Sequence, residues 1–130
     1  MEGNKEILII EDDEDVRALL KFLLEKESFR VEQVIDGEQA SQRIRKYKPP
    51  DLVLLDIMMP YRDGFEILGE IRASRPWRNV PVLIITARDN EEHITRGVEA
   101  GVNDYIIKPF KPADLIARIK KILDTPAFSS

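Results

Sequence analysis

Asp51-Leu52-Val53-Leu54-Leu55, running straight into Asp56, is the stretch on which the fold turns. Its apolar run is unbroken, which suits a strand buried on both faces of a parallel sheet. Working outward, four further short apolar runs read as strands: Glu6–Ile10 (EILII), Arg30–Ile35 (RVEQVI), Pro81–Ile85 (PVLII) and Asn103–Ile107 (NDYII). Helix-like stretches separate them. Val16, Leu19, Leu20, Leu23 and Leu24 recur at three- and four-residue spacing. Asp36 reads as an N-cap with Gln39 three residues on, opening a weakly amphipathic helix with Ala40, Ile44 and Tyr47 that Pro49-Pro50 closes. Asp63 and Glu66 stand at capping-box spacing before Phe65, Ile67, Leu68 and Ile71. Asp89–Glu99 reads as a short polar helix anchored by Ile94 and Val98, with Gly97 costing it about 1 kcal/mol relative to Ala. Pro112 suits the first turn of a last helix striped by Leu115, Ile116, Ile119, Ile122 and Leu123. Five strands each followed by a helix imply an α/β, doubly wound parallel sheet with helices on both faces.

Composition bounds the rest. A chain of 130 residues fits one domain, taken as 1–124, with 125–130 (TPAFSS) a tail or linker stump. With 43% hydrophobic residues it can bury a sizeable core, and 34% charged residues argue for a soluble protein. The longest apolar runs, Leu52–Leu55 and Val82–Ile85, are far shorter than the roughly 18 residues of a membrane span. No secretory signal is visible in MEGNKEI. The lack of cysteine excludes disulfides and thiolate zinc sites and is compatible with a reducing cytoplasm. A formal charge of −4 gives no general reason to expect nucleic-acid binding. The basic run Arg43–Lys48 reads as decoration of a helix C-terminus, where cations suit the dipole. His93, the single histidine, reads as exposed and non-catalytic, and Trp77 has no assigned role.

The chemistry falls at the carboxyl ends of the strands, where doubly wound sheets place their sites. Glu11, Asp12 and Asp13 follow the first strand, Asp56 the third, Thr86 the fourth and Lys108 the fifth. Taken alone, Glu11-Asp12-Asp13 reads as a solvated acidic turn capping a helix. Joined by Asp56, it becomes an all-oxygen set suited to a hard cation such as Mg²⁺. Asp56 either merely ends its strand or serves as a nucleophile accepting a phosphoryl group. Lys108 reads as a counter-ion to the carboxylates and to a phosphoryl oxygen. Thr86 offers a hydroxyl whose hydrogen bond would form when phosphate is present, and the small Ala87 beside it would leave room for a donor.

Together, Glu11-Asp12-Asp13, Asp56 with Pro60 and Asp63-Gly64, Thr86-Ala87 and Lys108-Pro109-Phe110 closely resemble response-regulator receiver domains of two-component signalling, over residues 5–124. The resemblance implies a flavodoxin-like sheet of order 2-1-3-4-5 with five helices. It implies phosphoryl acceptance on Asp56, with Mg²⁺ held by Asp13 directly, by Asp12 largely through water, by Asp56 and by the Met58 carbonyl. Thr86 and Lys108 would hold phosphoryl oxygens, Thr86 and Tyr105 would form the switch, and Lys108–Pro109 would be cis. The donor would be a sensor histidine kinase or histidine phosphotransfer protein, and the target a downstream protein or an output domain. A phosphorylation-linked homodimer is compatible with it; direct nucleic-acid or membrane binding is not expected, and the implied location is cytoplasmic. Such a domain promotes its own phosphoryl transfer without being a turnover enzyme. Tyr61 and Arg62 depart from the commonest pattern, and Met58 and Arg88 flank the path of hydrolytic water. A receiver that docks without phosphorylation is the alternative. A haloacid-dehalogenase-type phosphatase would want a second Asp where Met58 stands, and a flavin binder would want a Ser/Thr-rich phosphate loop after the first strand.

Overall fold

A computed structural model describes residues 4–46, 48–57, 59, 63–87, 95 and 101–124. Strands β1 (Glu6–Ile10), β2 (Arg30–Val34), β3 (Leu52–Asp56), β4 (Val82–Ala87) and β5 (Asp104–Lys108) form one sheet in the order β2-β1-β3-β4-β5. Every pairing is parallel. Among the described residues four α-helices accompany them: α1 (Glu14–Lys26), α2 (Gly37–Ile44), α3 (Gly64–Ala73) and α4 (Pro112–Leu123), with a 3₁₀ turn at Arg75–Trp77. The helix expected over 89–99 falls almost wholly outside the described residues, as do Tyr47, Met58, Pro60, Tyr61, Arg62, Arg88 and His93.

Strand alternation splits the core in two. Leu8, Ile10, Val53, Leu55, Val82 and Ile84 face α2, α3 and Trp77. Ile7, Ile9, Leu52, Leu54, Leu83 and Ile85 face Leu20 and Leu24 of α1 and Leu115 and Ile119 of α4. β3 is central and buried at every position, as its unbroken apolar run demands.

The caps follow the sequence signals. The Asp63 carboxylate accepts from Glu66 N at 3.0 Å while the Glu66 carboxylate accepts from Asp63 N at 3.2 Å, a complete capping box. Asp36 accepts from Gln39 N at 2.8 Å, but Gln39 Oε1 reaches past it to Ile35 N at 2.9 Å. That bond takes Ile35 out of the ladder and ends β2 at Val34, one residue earlier than the expected Ile35. α2 likewise stops at Ile44, well short of Pro49.

Arg43 does not merely decorate the end of α2. It bonds Glu32 at 2.7 Å and the Lys48 carbonyl at 2.9 Å, and its guanidinium lies 5.1 Å from the Trp77 ring centroid. Trp77 is fully buried, and its Nε1 donates to the Lys46 carbonyl at 3.0 Å. Arg72 bonds the carbonyls of Arg78, Val80 and Gly101, and its burial lowers the guanidinium pKa from the ordinary value. These groups brace the edge where strands begin, the opposite edge from the candidate site.

Candidate functional site

The three strands that carry the candidate residues run one or two positions further than their sequence signals indicate. Asp56 is the last rung of β3, opposite Ile85. Thr86 pairs with Ile107, and Lys108 is the last rung of β5, opposite Ala87. The candidate groups therefore hang from the ladder itself, which fixes their backbones.

Asp56 is 2% exposed. The next residue is gripped from two sides: Ile57 N donates to Ile85 O at 3.2 Å, and Ile57 O accepts from Gly64 N at 3.1 Å and Met59 N at 3.2 Å. Gly64 is required there by contact. A Cβ on it would lie 2.8 Å from Ile57 Cα and 2.9 Å from Asp56 O, closer than van der Waals packing allows.

Glu11 continues β1, with its N–H on Val34 O at 3.2 Å, and is buried. Its Oε1 accepts from Lys108 Nζ at 3.4 Å and its Oε2 from Asp13 N at 3.1 Å. Lys108 Nζ also stands 3.8 Å from Asp56 Oδ1, with its side chain 30% exposed. One ammonium thus bridges carboxylates from two strands. The Lys108–Pro109 peptide is cis.

Carboxylate oxygens of Glu11, Asp12 and Asp56 lie within 4.8 Å of one another. Asp13 is not in that group: it is the N-cap of α1, accepting from Val16 N at 3.0 Å. Asp12 thus stands with Glu11 and Asp56, while Asp13 serves the helix cap. The reason is local: the first residue after β1 still follows the pleat into the pocket, whereas the third has entered the helix cap. Met58, expected to contribute its carbonyl, lies outside the described residues.

Three carboxylates so close repel one another unless a cation intervenes. Their donor set is all oxygen, without His or Cys, and it fits a hard divalent ion such as Mg²⁺. Thr86 adds an independent sign. It is 1% exposed, and its Oγ1 has no hydrogen-bond partner among the described residues, although buried hydroxyls are nearly always satisfied. Tyr105, half-buried, packs against the α2–α3 core, and its carbonyl accepts from Arg118 Nη1 at 2.8 Å.

Sequence reasoning missed Arg17, whose Nη1 donates to the carbonyls of Glu11 and Asp12 at 3.1 Å each. Its position one turn into α1, directly after the acidic run, was the available signal.

The family model for the response regulator receiver domain matches residues 7–120. Among curated proteins, the chain is 39% identical over 120 residues to the alkaline phosphatase synthesis transcriptional regulatory protein PhoP of Bacillus subtilis, covering 92% of this chain and 49% of that one. It is 37% identical over 119 residues to the phosphate regulon transcriptional regulatory protein PhoB of Escherichia coli, covering 92% and 52%. The chain thus spans about half the length of these relatives. Among solved structures, a response regulator from Chloroflexus aurantiacus superposes with a TM-score of 0.89 at 33% identity, covering 95% of this chain and 100% of that one. The receiver domain of a sensor histidine kinase from Pseudomonas aeruginosa, with a magnesium ion coordinated in its active-site cleft, gives 0.86 at 32% identity and the same coverage.

Proposed function

The chain belongs to the response regulator receiver domain family, and from that premise we propose that it relays a signal by accepting a phosphoryl group on Asp56. The observation that carries the reading is the meeting, at one sheet edge, of buried Asp56 with Glu11, Asp12 and Lys108, beside a buried Thr86 hydroxyl that lacks a partner among the described residues. A carboxylate oxygen of Asp56 attacks the phosphorus of a donor phosphohistidine, the P–N bond breaks, and an acyl phosphate forms. Lys108 moves from its carboxylate partners to a phosphoryl oxygen, and Thr86 Oγ1 donates to another, which gives that hydroxyl the partner it lacks. Glu11, Asp12 and Asp56 are the side chains that would hold Mg²⁺, with the Met58 carbonyl completing the set. The bound ion supplies screening of the incoming negative charge and alignment of the phosphoryl group.

Signalling follows from the displaced hydroxyl. As Thr86 moves toward the phosphoryl group, Tyr105 turns into the space it leaves, and the surface around β5 and α4 changes. A nearly complete switch needs about 5.5 kcal/mol of differential stabilisation, within reach of several charge-assisted hydrogen bonds. The donor in this reading is a sensor histidine kinase or histidine phosphotransfer protein. The readout is an output domain, a separate protein target or a homodimer formed on phosphorylation. The domain itself contacts neither nucleic acid nor membrane in this reading. No helix among the described residues is long and apolar enough to cross a bilayer.

Asp56→Asn tests the assignment. Incubated with Mg²⁺ and radiolabelled acetyl phosphate, the wild type is expected to take up label that hydroxylamine releases, and the variant none. Label retained by Asp56→Asn at the wild-type level would remove Asp56 from the role.

A further inference from the structure

Arg17 brings a positive charge to the edge of a site read here as a cation site. On charge alone it works against that purpose, because it repels a divalent ion nearby. Its hydrogen bonds point to a different role. Nη1 donates to the backbone carbonyls of Glu11 and Asp12, at 3.1 Å each. These are the two residues after β1 whose carboxylates meet Asp56. The Arg17 backbone is itself fixed, with its N–H on Asp13 O at 2.9 Å inside the first turn of a helix that the Asp13 side chain caps.

We propose that Arg17 is a positioning residue for the cation site: it pins the Glu11 and Asp12 peptides from outside so that both carboxylates converge on Asp56. The acidic turn is then held at three points, by Val34 O on the Glu11 N–H, by Glu11 Oε2 on the Asp13 N–H, and by the guanidinium on the two carbonyls. The inference rests on the reading of Glu11, Asp12 and Asp56 as Mg²⁺ ligands.

The two roles open to Arg17 predict opposite signs. If only its charge mattered, Arg17→Met would bind Mg²⁺ more tightly, since a repelling cation is gone. If it positions the turn, the same variant binds more weakly, by about 10- to 100-fold, the usual consequence of losing a group that orients metal ligands. The experiment is a calorimetric Mg²⁺ titration of the full chain as wild type, Asp12→Asn, Arg17→Met and Arg17→Lys, with urea melts alongside. The expected pattern is binding by the wild type, loss of it in Asp12→Asn, and weakened binding in Arg17→Met. Arg17→Met that binds as well as the wild type, or better, overturns the proposal even if its urea midpoint falls. Should Arg17→Met not fold, Arg17→Lys decides. It keeps the charge on a shorter stem without the planar fork, so weakened binding supports positioning and wild-type binding overturns it. A wild type that gives no Mg²⁺ signal sinks the metal reading and this inference with it. A normal wild type beside an unaltered Arg17 variant sinks the inference alone.

Discussion

The two edges of the sheet are built to opposite specifications. Where the strands begin, polar groups close on one another: Trp77 Nε1 on Lys46 O, Arg43 on Glu32 and Lys48 O, Arg72 on three carbonyls, and the Asp51 carboxylate on Glu6 N at 2.7 Å. Where the strands end, three carboxylates crowd together, two of them beside the Lys108 ammonium, and the buried Thr86 hydroxyl has no partner among the described residues. The first edge pairs these groups within the fold. Under the proposed function, the second is arranged for groups that arrive later. The bracing contacts and the proposed function thus lie at opposite ends of the strands, and this separation can be broken or sharpened by mutation.

The largest effect is expected from Trp77→Ala. Removing a fully buried indole should cost about 3–5 kcal/mol, read as a lower urea midpoint. Mg²⁺ affinity of the folded protein should stay at the wild-type level, because Trp77 lies at the far edge; a matching loss of affinity would show that the edges are coupled. The same placement makes Trp77 a poor fluorescent reporter of Mg²⁺. Gly64→Ala should cost less, about 1–3 kcal/mol by overpacking, yet should impair labelling by acetyl phosphate, because the new Cβ presses on the Asp56 carbonyl and Ile57 Cα. Unchanged labelling in a destabilised Gly64→Ala would show that α3 does not position Asp56. The smallest and most telling effect is expected from Thr86→Val. Deleting an unsatisfied buried hydroxyl should raise stability by about 1 kcal/mol while weakening the response to phosphorylation, the trade expected where a functional group is kept at the expense of packing. A Thr86→Val protein less stable than the wild type would mean that the hydroxyl is satisfied in solution.

Much of this was legible beforehand, for reasons that differ by residue. The central strand announced itself because its apolar run is unbroken, and Asp63–Glu66 because a capping box is a local device three residues long. Asp56, Thr86 and Lys108 could be brought together because parallel topology sends every strand's end to one edge. Which of the neighbouring acids stand together beside Asp56 could not be read the same way. Neighbouring acids differ only in where the chain leaves the pleat, and that is settled by the turn, not by composition. Arg43, Arg72 and Trp77 escaped because their partners lie up to 31 residues away and are mostly backbone carbonyls, which leave no mark in the sequence.

One consequence of the ladder remains. Asp56 is not perched on a loop; it is the final rung of the middle strand, opposite Ile85 of β4, with a helix start against its carbonyl. With its backbone so rooted and its side chain buried, the carboxylate has few orientations to give up. In the proposed function, much of the ordering that oriented encounter normally demands is then completed while the chain folds, and timing is left to the arriving partner rather than to any search by the acceptor.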